Sequence, residues 1–317
     1  MPGWEYRRGL HDLGGGSHAW LQPDGSWGWS NAGLVCDGEA SLLVDTLFDL
    51  PLTSEMLRAM RDAVPAAAAI DTLVNTHANG DHCFGNELVE GATIVASRAC
   101  AEEMRELPPA ALAALKKNAA DLGEAGAFFA DVFGPFDFEG ITLTPPTETF
   151  EGRHELRVGD KRVDLHEVGP CHTKGDVIVH VPSDRTVFSG DILFIDGHPI
   201  LWEGPVGNWI DACDRIVALE AAAIVPGHGP ITDAAGVDAL RGYLVYVRDE
   251  ARARFEAGMP VLEAARDISL ADYDGWGDAE RIAVNVSTLY REFGDPSPPP
   301  NPVELFGWMA QLARDRR

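Results

Sequence analysis

Positive charge is scarce in this sequence. Lysine and arginine together number 25 against 50 aspartates and glutamates in 317 residues, a formal net charge of −25. No run of Lys and Arg forms a basic patch, so a phosphate backbone would be repelled and nucleic acid is not an expected partner. Long apolar runs are also missing. None approaches the ~18–20 residues needed to cross a bilayer, and no membrane partner is expected. The opening MPGWEYRRGLHDLGGG lacks the uninterrupted apolar region of a secretory signal. Cysteine is sparse: Cys36, Cys83, Cys100, Cys171 and Cys213 are odd in number, scattered and without a CxxC pair. That excludes a disulfide framework and suits reduced thiols in a cytoplasmic protein. No internal repeat with a period of about 20–50 residues is present.

What is there is ordinary for a globular chain, 45% hydrophobic and 24% charged. Short apolar runs alternate with helical patterns, which favours a layered α/β architecture. SNAGLVCDGEASLLVDT reads as two strands broken at Asp37-Gly38, and IDTLVNT and ATIVAS as further strands. Residues 54–64 have helical spacing, with Thr53 or Ser54 as the cap. The Ala-rich stretch 99–133 reads as helix broken at Pro108-Pro109. ITLT, HELRV, KRVDLHEV, DVIVHV and RTVF read as short strands, 209–219 as helix, and AAAIVPGHG as a final strand and loop. From Asp233 on the chain reads as amphipathic helix, interrupted by PSPPPNP, a short stiff connector. The expected organisation is a catalytic unit over 1–232 and a helical extension over 233–317 packed on it.

Potential metal ligands recur just beyond the apolar runs. His77, Asp81 and His82 follow IDTLVNT, and His172 lies in VGPCHTKGD. Asp191 lies in FSGD and His228 in VPGHG. Open α/β sheets place ligand-binding residues at such strand ends. Imidazole with carboxylate suits zinc, iron or manganese better than calcium.

The motifs HANGDH, GPCHTKGD, SGD and PGHG, in this order, resemble those of the metallo-β-lactamase-fold hydrolases over roughly residues 15–232. The resemblance implies an αββα sandwich: two mixed β-sheets face to face, flanked by helices, with metal at one edge. It implies one metal site at His77, the residue at 79 and His172, and a second at Asp81, His82 and His228, with Asp191 bridging. Asp45, in LLVDT, resembles the family's carboxylate that supports the metal loop. Water held by such cations attacks a carbonyl, so the expected function is a metal-dependent hydrolase of a small-molecule ester, thioester, lactone or lactam. Asp81 and His228 are the expected catalytic residues, with one or two zinc ions as cofactor.

The departure is Asn79, where the family's HxHxDH loop carries histidine. An amide oxygen is a weaker, harder donor than imidazole. Three outcomes stay open: a first site with Asn79 distant, a single filled second site, or a preference for iron or manganese. The alternatives to hydrolysis are therefore an iron-dependent oxygenase resembling the persulfide dioxygenases and a non-catalytic relative.

Other residues carry blander expectations. Cys83 and Cys171 neighbour ligands without being ligands, Thr173 is a turn hydroxyl, and His11, His18, His154, His166, His180 and His198 are surface or packing residues. Trp27, Trp29, Trp202 and Trp209 either line a cleft or pack the sheet edges. The helical extension is a lid, simple packing, or a surface for homo-oligomers.

Overall fold

A computed structural model describes residues 4–316. Among these residues, twelve strands form two sheets. β1 (Gly9–Gly14), β2 (Ser17–Leu21), β3 (Ala32–Asp37), β4 (Ala40–Val44), β5 (Thr72–Val74), β6 (Thr93–Ser97) and β7 (Glu148–Phe150) build the first, in that order. It is antiparallel through β4 and parallel from β4 to β7. β8 (Arg153–Val158), β9 (Lys161–Glu167), β10 (Val177–Val181), β11 (Thr186–Phe188) and β12 (Ala223–Val225) build the second. Both sheets are mixed, since β11 and β12 run parallel while the others alternate.

The pleat sends successive side chains to opposite faces, and this sorts the core into layers. Leu42 and Val44 of β4 meet Val163, Leu165, Val177 and Val179 of β9 and β10 between the sheets. Leu43 turns outward under Met56, Leu57 and Met60 of α1 (Leu50–Ala63). Ile178, Val187 and Ile224 turn to the other outer layer.

The remaining helices are α2 (Gly80–Cys83), α3 (Arg98–Glu103), α4 (Pro109–Lys117), α5 (Gly123–Phe133) and α6 (Val206–Ala218), followed by α7 (Ala234–Glu256), α8 (Val261–Asp267), α9 (Ile282–Phe293) and α10 (Pro302–Asp315). Trp209 and Ile216 of α6, Leu240 and Tyr243 of α7, and Val286 of α9 share one buried cluster with the outer face of the second sheet. The result is the αββα sandwich with a helical C-terminal region. Phe306 of α10 packs against Phe128, Phe129 and Phe133 of α5. No helix among the described residues is long and apolar enough to cross a membrane.

Two local expectations are corrected. α1 starts at Leu50, ahead of Ser54, because Asp49 caps it by accepting the Leu52 N–H at 2.8 Å and Pro51 fits the first turn. Thr53 is buried within the helix instead, accepting the Leu47 N–H. ITLT forms no strand. Its backbone bonds to side chains, Thr142 N–H to Glu87 and the Thr144 carbonyl to Asn86, and Pro145-Pro146 offers no N–H to a ladder.

Candidate metal centre

Folding brings all seven candidate ligands to one end of the sandwich. His77 follows β5, Asp81 and His82 sit on α2, and His172 lies between β9 and β10. Asp191 follows β11 and His228 follows β12. Asp191 stands in the middle. Its oxygens lie 3.7 Å from His77 Nε2, 3.1 Å from His82 Nε2, 3.3 Å from His172 Nε2 and 3.4 Å from His228 Nε2. Asp81 Oδ2 is 3.3 Å from His228 Nε2 and 3.9 Å from His82 Nε2. Asn79 borders the group, its amide nitrogen 2.9 Å from His172 Nε2.

Each imidazole is oriented from behind through Nδ1, which leaves Nε2 facing the centre. His82 Nδ1 bonds to Asp45 Oδ2 at 2.9 Å, His172 Nδ1 to the Ile200 carbonyl at 2.7 Å, and His228 Nδ1 to the Gly25 carbonyl at 3.0 Å. The Thr76 hydroxyl donates to Asp45 and accepts from His77 Nδ1 at 3.0 Å. Asp45 also receives the Thr76 N–H at 2.7 Å. These partners fix tautomer and ring angle, as the outer partners of metal-binding histidines do. Gly227 makes room for the central carboxylate, because a Cβ there would sit 1.9 Å from Asp191 Oδ1.

The electrostatics pull in two directions. Burial and the neighbouring His82 hold His77 well below the usual imidazole range, and burial lowers His172. Burial would also lower His82 and His228. The surrounding carboxylates outweigh it, Asp191 first, so His82 is raised well above its ordinary value and His228 to about 9. The carboxylates thus favour positive charge at His82 and His228.

The arrangement also passes a test of fit for a cation. His77 Nε2, His82 Nε2 and Asp191 Oδ1 are buried with no hydrogen-bond partner. Buried polar atoms without partners are costly, and these three point at one another. His77, His82 and Asp191 bring one ligand atom each within 4.8 Å of the others, as do Asp81, His82 and His228.

The neighbours fall into place as packing. The Cys83 and Cys171 thiols turn to the backbone carbonyls of Ala78 and Val168. Thr173 donates to Asp176 within its own turn. Trp209 is fully buried, donates to the Ile192 carbonyl and lies edge-on to His172. Trp27 is buried among Phe128, Phe133 and Phe306 and bonds to Glu280. Sequence reasoning missed Thr76, Phe194 and Arg281. Phe194 stacks flat on His228, rings 5.1 Å apart and 1° from parallel, and Arg281 lies over both Phe194 and Trp27. The adjacent Thr76-His77 pair was the one available signal for Thr76.

The profile of the metallo-beta-lactamase superfamily matches residues 25–228, and the chain belongs to that superfamily. The metallo-beta-lactamase from Pontibacter korlensis superposes with a TM-score of 0.57 at 19% identity, covering 75% of this chain and 99% of that one. Among curated relatives, the probable hydroxyacylglutathione hydrolase glo2 of Schizosaccharomyces pombe is 32% identical over 102 residues, 31% of this chain and 37% of that protein. The acyl-coenzyme A thioesterase MBLAC2 of Homo sapiens is 24% identical over 94 residues, 28% of this chain and 33% of that protein. The matched segments thus span well under half the length of either curated relative.

Proposed function

We propose that the protein is a metal-dependent hydrolase of a small-molecule thioester or a related ester. The observation that carries this reading is the convergence of four inward-facing Nε2 atoms and two carboxylates on a pocket with three unpartnered polar atoms. The names of the two curated relatives, both of them enzymes that act on thioesters, support the choice of substrate class. His77, His172 and Asn79 would hold one cation, and Asp81, His82 and His228 a second, with Asp191 touching both. When bound, a divalent cation supplies Lewis acidity, which lowers the pKa of water and draws charge from a carbonyl oxygen. Both carboxylates are buried, the Asp81 side chain 11% exposed against 3% for Asp191. Asp81 Oδ2 lies 3.3 Å from His228 Nε2, and a carboxylate there would be placed to take up the proton lost by an attacking water. Asp45 and Thr76 keep His82 and His77 aimed. Free, buried thiols at all five cysteines support a reducing, cytoplasmic setting.

The test is metal analysis of protein purified without added metal, followed by assay on thioesters, esters and lactones. Asp81→Ala and His228→Ala are expected to abolish turnover while Asn79→Ala retains part of it. Iron with oxygen uptake and no hydrolysis would replace this reading with the oxygenase one. Absence of any tightly held metal would favour a non-catalytic relative.

A further inference from the structure

A second set of metal-binding side chains lies on the outer face of the second sheet. Asp164 and His166 are two residues apart on β9, and His180 on β10 stands opposite Asp164 in register. Alternation puts all three outward, because Val163, Leu165, Val179 and Val181 point between the sheets. One ligand atom from each lies within 4.8 Å of the others. Both ring nitrogens of His166 are shut off from solvent and have no hydrogen-bond partner. A groove of about 370 Å³ over β8 and β9 is lined by Asp164 and His166 and leads up to the cluster from that side.

We propose that Asp164, His166 and His180 form a peripheral site for one late first-row divalent cation, Zn²⁺ or Cu²⁺. Two imidazoles and a carboxylate match the donor preference of those ions, with water in the remaining positions. Burial lowers both imidazoles below their ordinary value, so they stand in the neutral form that ligates. The charged surroundings set the strength. Arg162 pairs with Asp164 at 3.1 Å, Arg153 stands opposite His166 in register, and Arg215 of α6 also acts on His166. Glu155, opposite Asp164, offsets part of this positive charge. Entry of the cation requires Arg162 to release Asp164. The Arg162 side chain is 51% exposed, so this surface pair costs little to break. The site binds more weakly than the buried centre and ties β9 to β10. It does not depend on the hydrolase reading.

The experiment titrates Zn²⁺ into protein whose as-purified metal content has been measured, with free and bound zinc separated by equilibrium dialysis. Wild type is expected to bind one equivalent more than the His166→Ala/His180→Ala protein. As-purified metal content should be the same in the two. Asp164→Asn, which keeps the side-chain shape, should weaken the extra equivalent at least tenfold and serves if the double variant folds poorly. With Cu²⁺ the same equivalent should show an electron paramagnetic resonance pattern from two imidazole nitrogens. Equal zinc uptake by wild type and both variants would overturn the proposal.

Discussion

The His82 imidazole and the Asp45 carboxylate are bonded at 2.9 Å in a pocket closed to water, and the same carboxylate receives both the backbone N–H and the hydroxyl of Thr76. One side chain therefore aims two candidate ligands, His82 directly and His77 through Thr76. Asp45→Asn keeps the shape and removes the charge. Metal affinity should fall about 10- to 100-fold, the usual effect of removing an outer partner of a ligating histidine. Competition with a chromophoric chelator measures this, and an affinity unchanged from wild type would remove Asp45 from the account.

Asn79 lies within hydrogen-bond distance of His172 Nε2, so the residue at this position reaches the edge of the centre. Asn79→His replaces a weak amide donor by imidazole. The metal bound per chain after dialysis should rise if the site containing His77 and His172 is under-filled in the natural protein. Unchanged stoichiometry with unchanged affinity would count against the ligand grouping.

Arg281 is 2% exposed and held between aromatic faces, 4.4 Å from the Trp27 centroid and 5.3 Å from that of Phe194. It donates to the His198 carbonyl at 2.8 Å and pairs with Asp278 at 3.0 Å. Arg281→Met strips the pair and the cation–π contacts, and should cost roughly 2–4 kcal/mol in denaturant unfolding. Arg281→Lys should recover little of it, because a point charge cannot stack as a planar guanidinium does. Full recovery by lysine would show that charge alone matters there.

His198 is fully buried, and burial, with Arg281 second, lowers it to about 4. Its unfolded value is near 6.5, so the unfolded chain takes up a proton that the folded chain refuses. Stability from this group is whole above about pH 6.5 and falls as the pH drops toward 4, by about 3 kcal/mol. Urea unfolding of wild type and His198→Gln over that range should show the difference between them shrinking as pH falls. A constant difference would mean that His198 does not titrate in this window.

The residues closing on the metal centre were legible because each sits in a short glycine-bearing loop after an apolar run, where position along the chain predicts position in space. Alternating apolar runs and helical patterns made a layered α/β architecture legible, and its αββα form was what the resemblance of the four motifs implied. What supports the residues of the metal centre was not legible. Ile200 and Gly25 contribute only carbonyls, which have no side-chain identity to read. Arg281 reaches the back of the centre from about 50 residues beyond His228, and no motif surrounds it. The start of α1 was misjudged because Thr53 and Ser54 look like caps, whereas Asp49 with Pro51 takes that role. His166 and His180 read as unremarkable until strand register set them beside Asp164.

Gly227, whose missing side chain leaves space for Asp191, also has a temporal consequence. Asp191 and Gly227 belong to different strand ends, and the loop holding His77 belongs to the other sheet. No local segment of this chain carries the full set of donors, so the complete pocket exists only once the two sheets have docked.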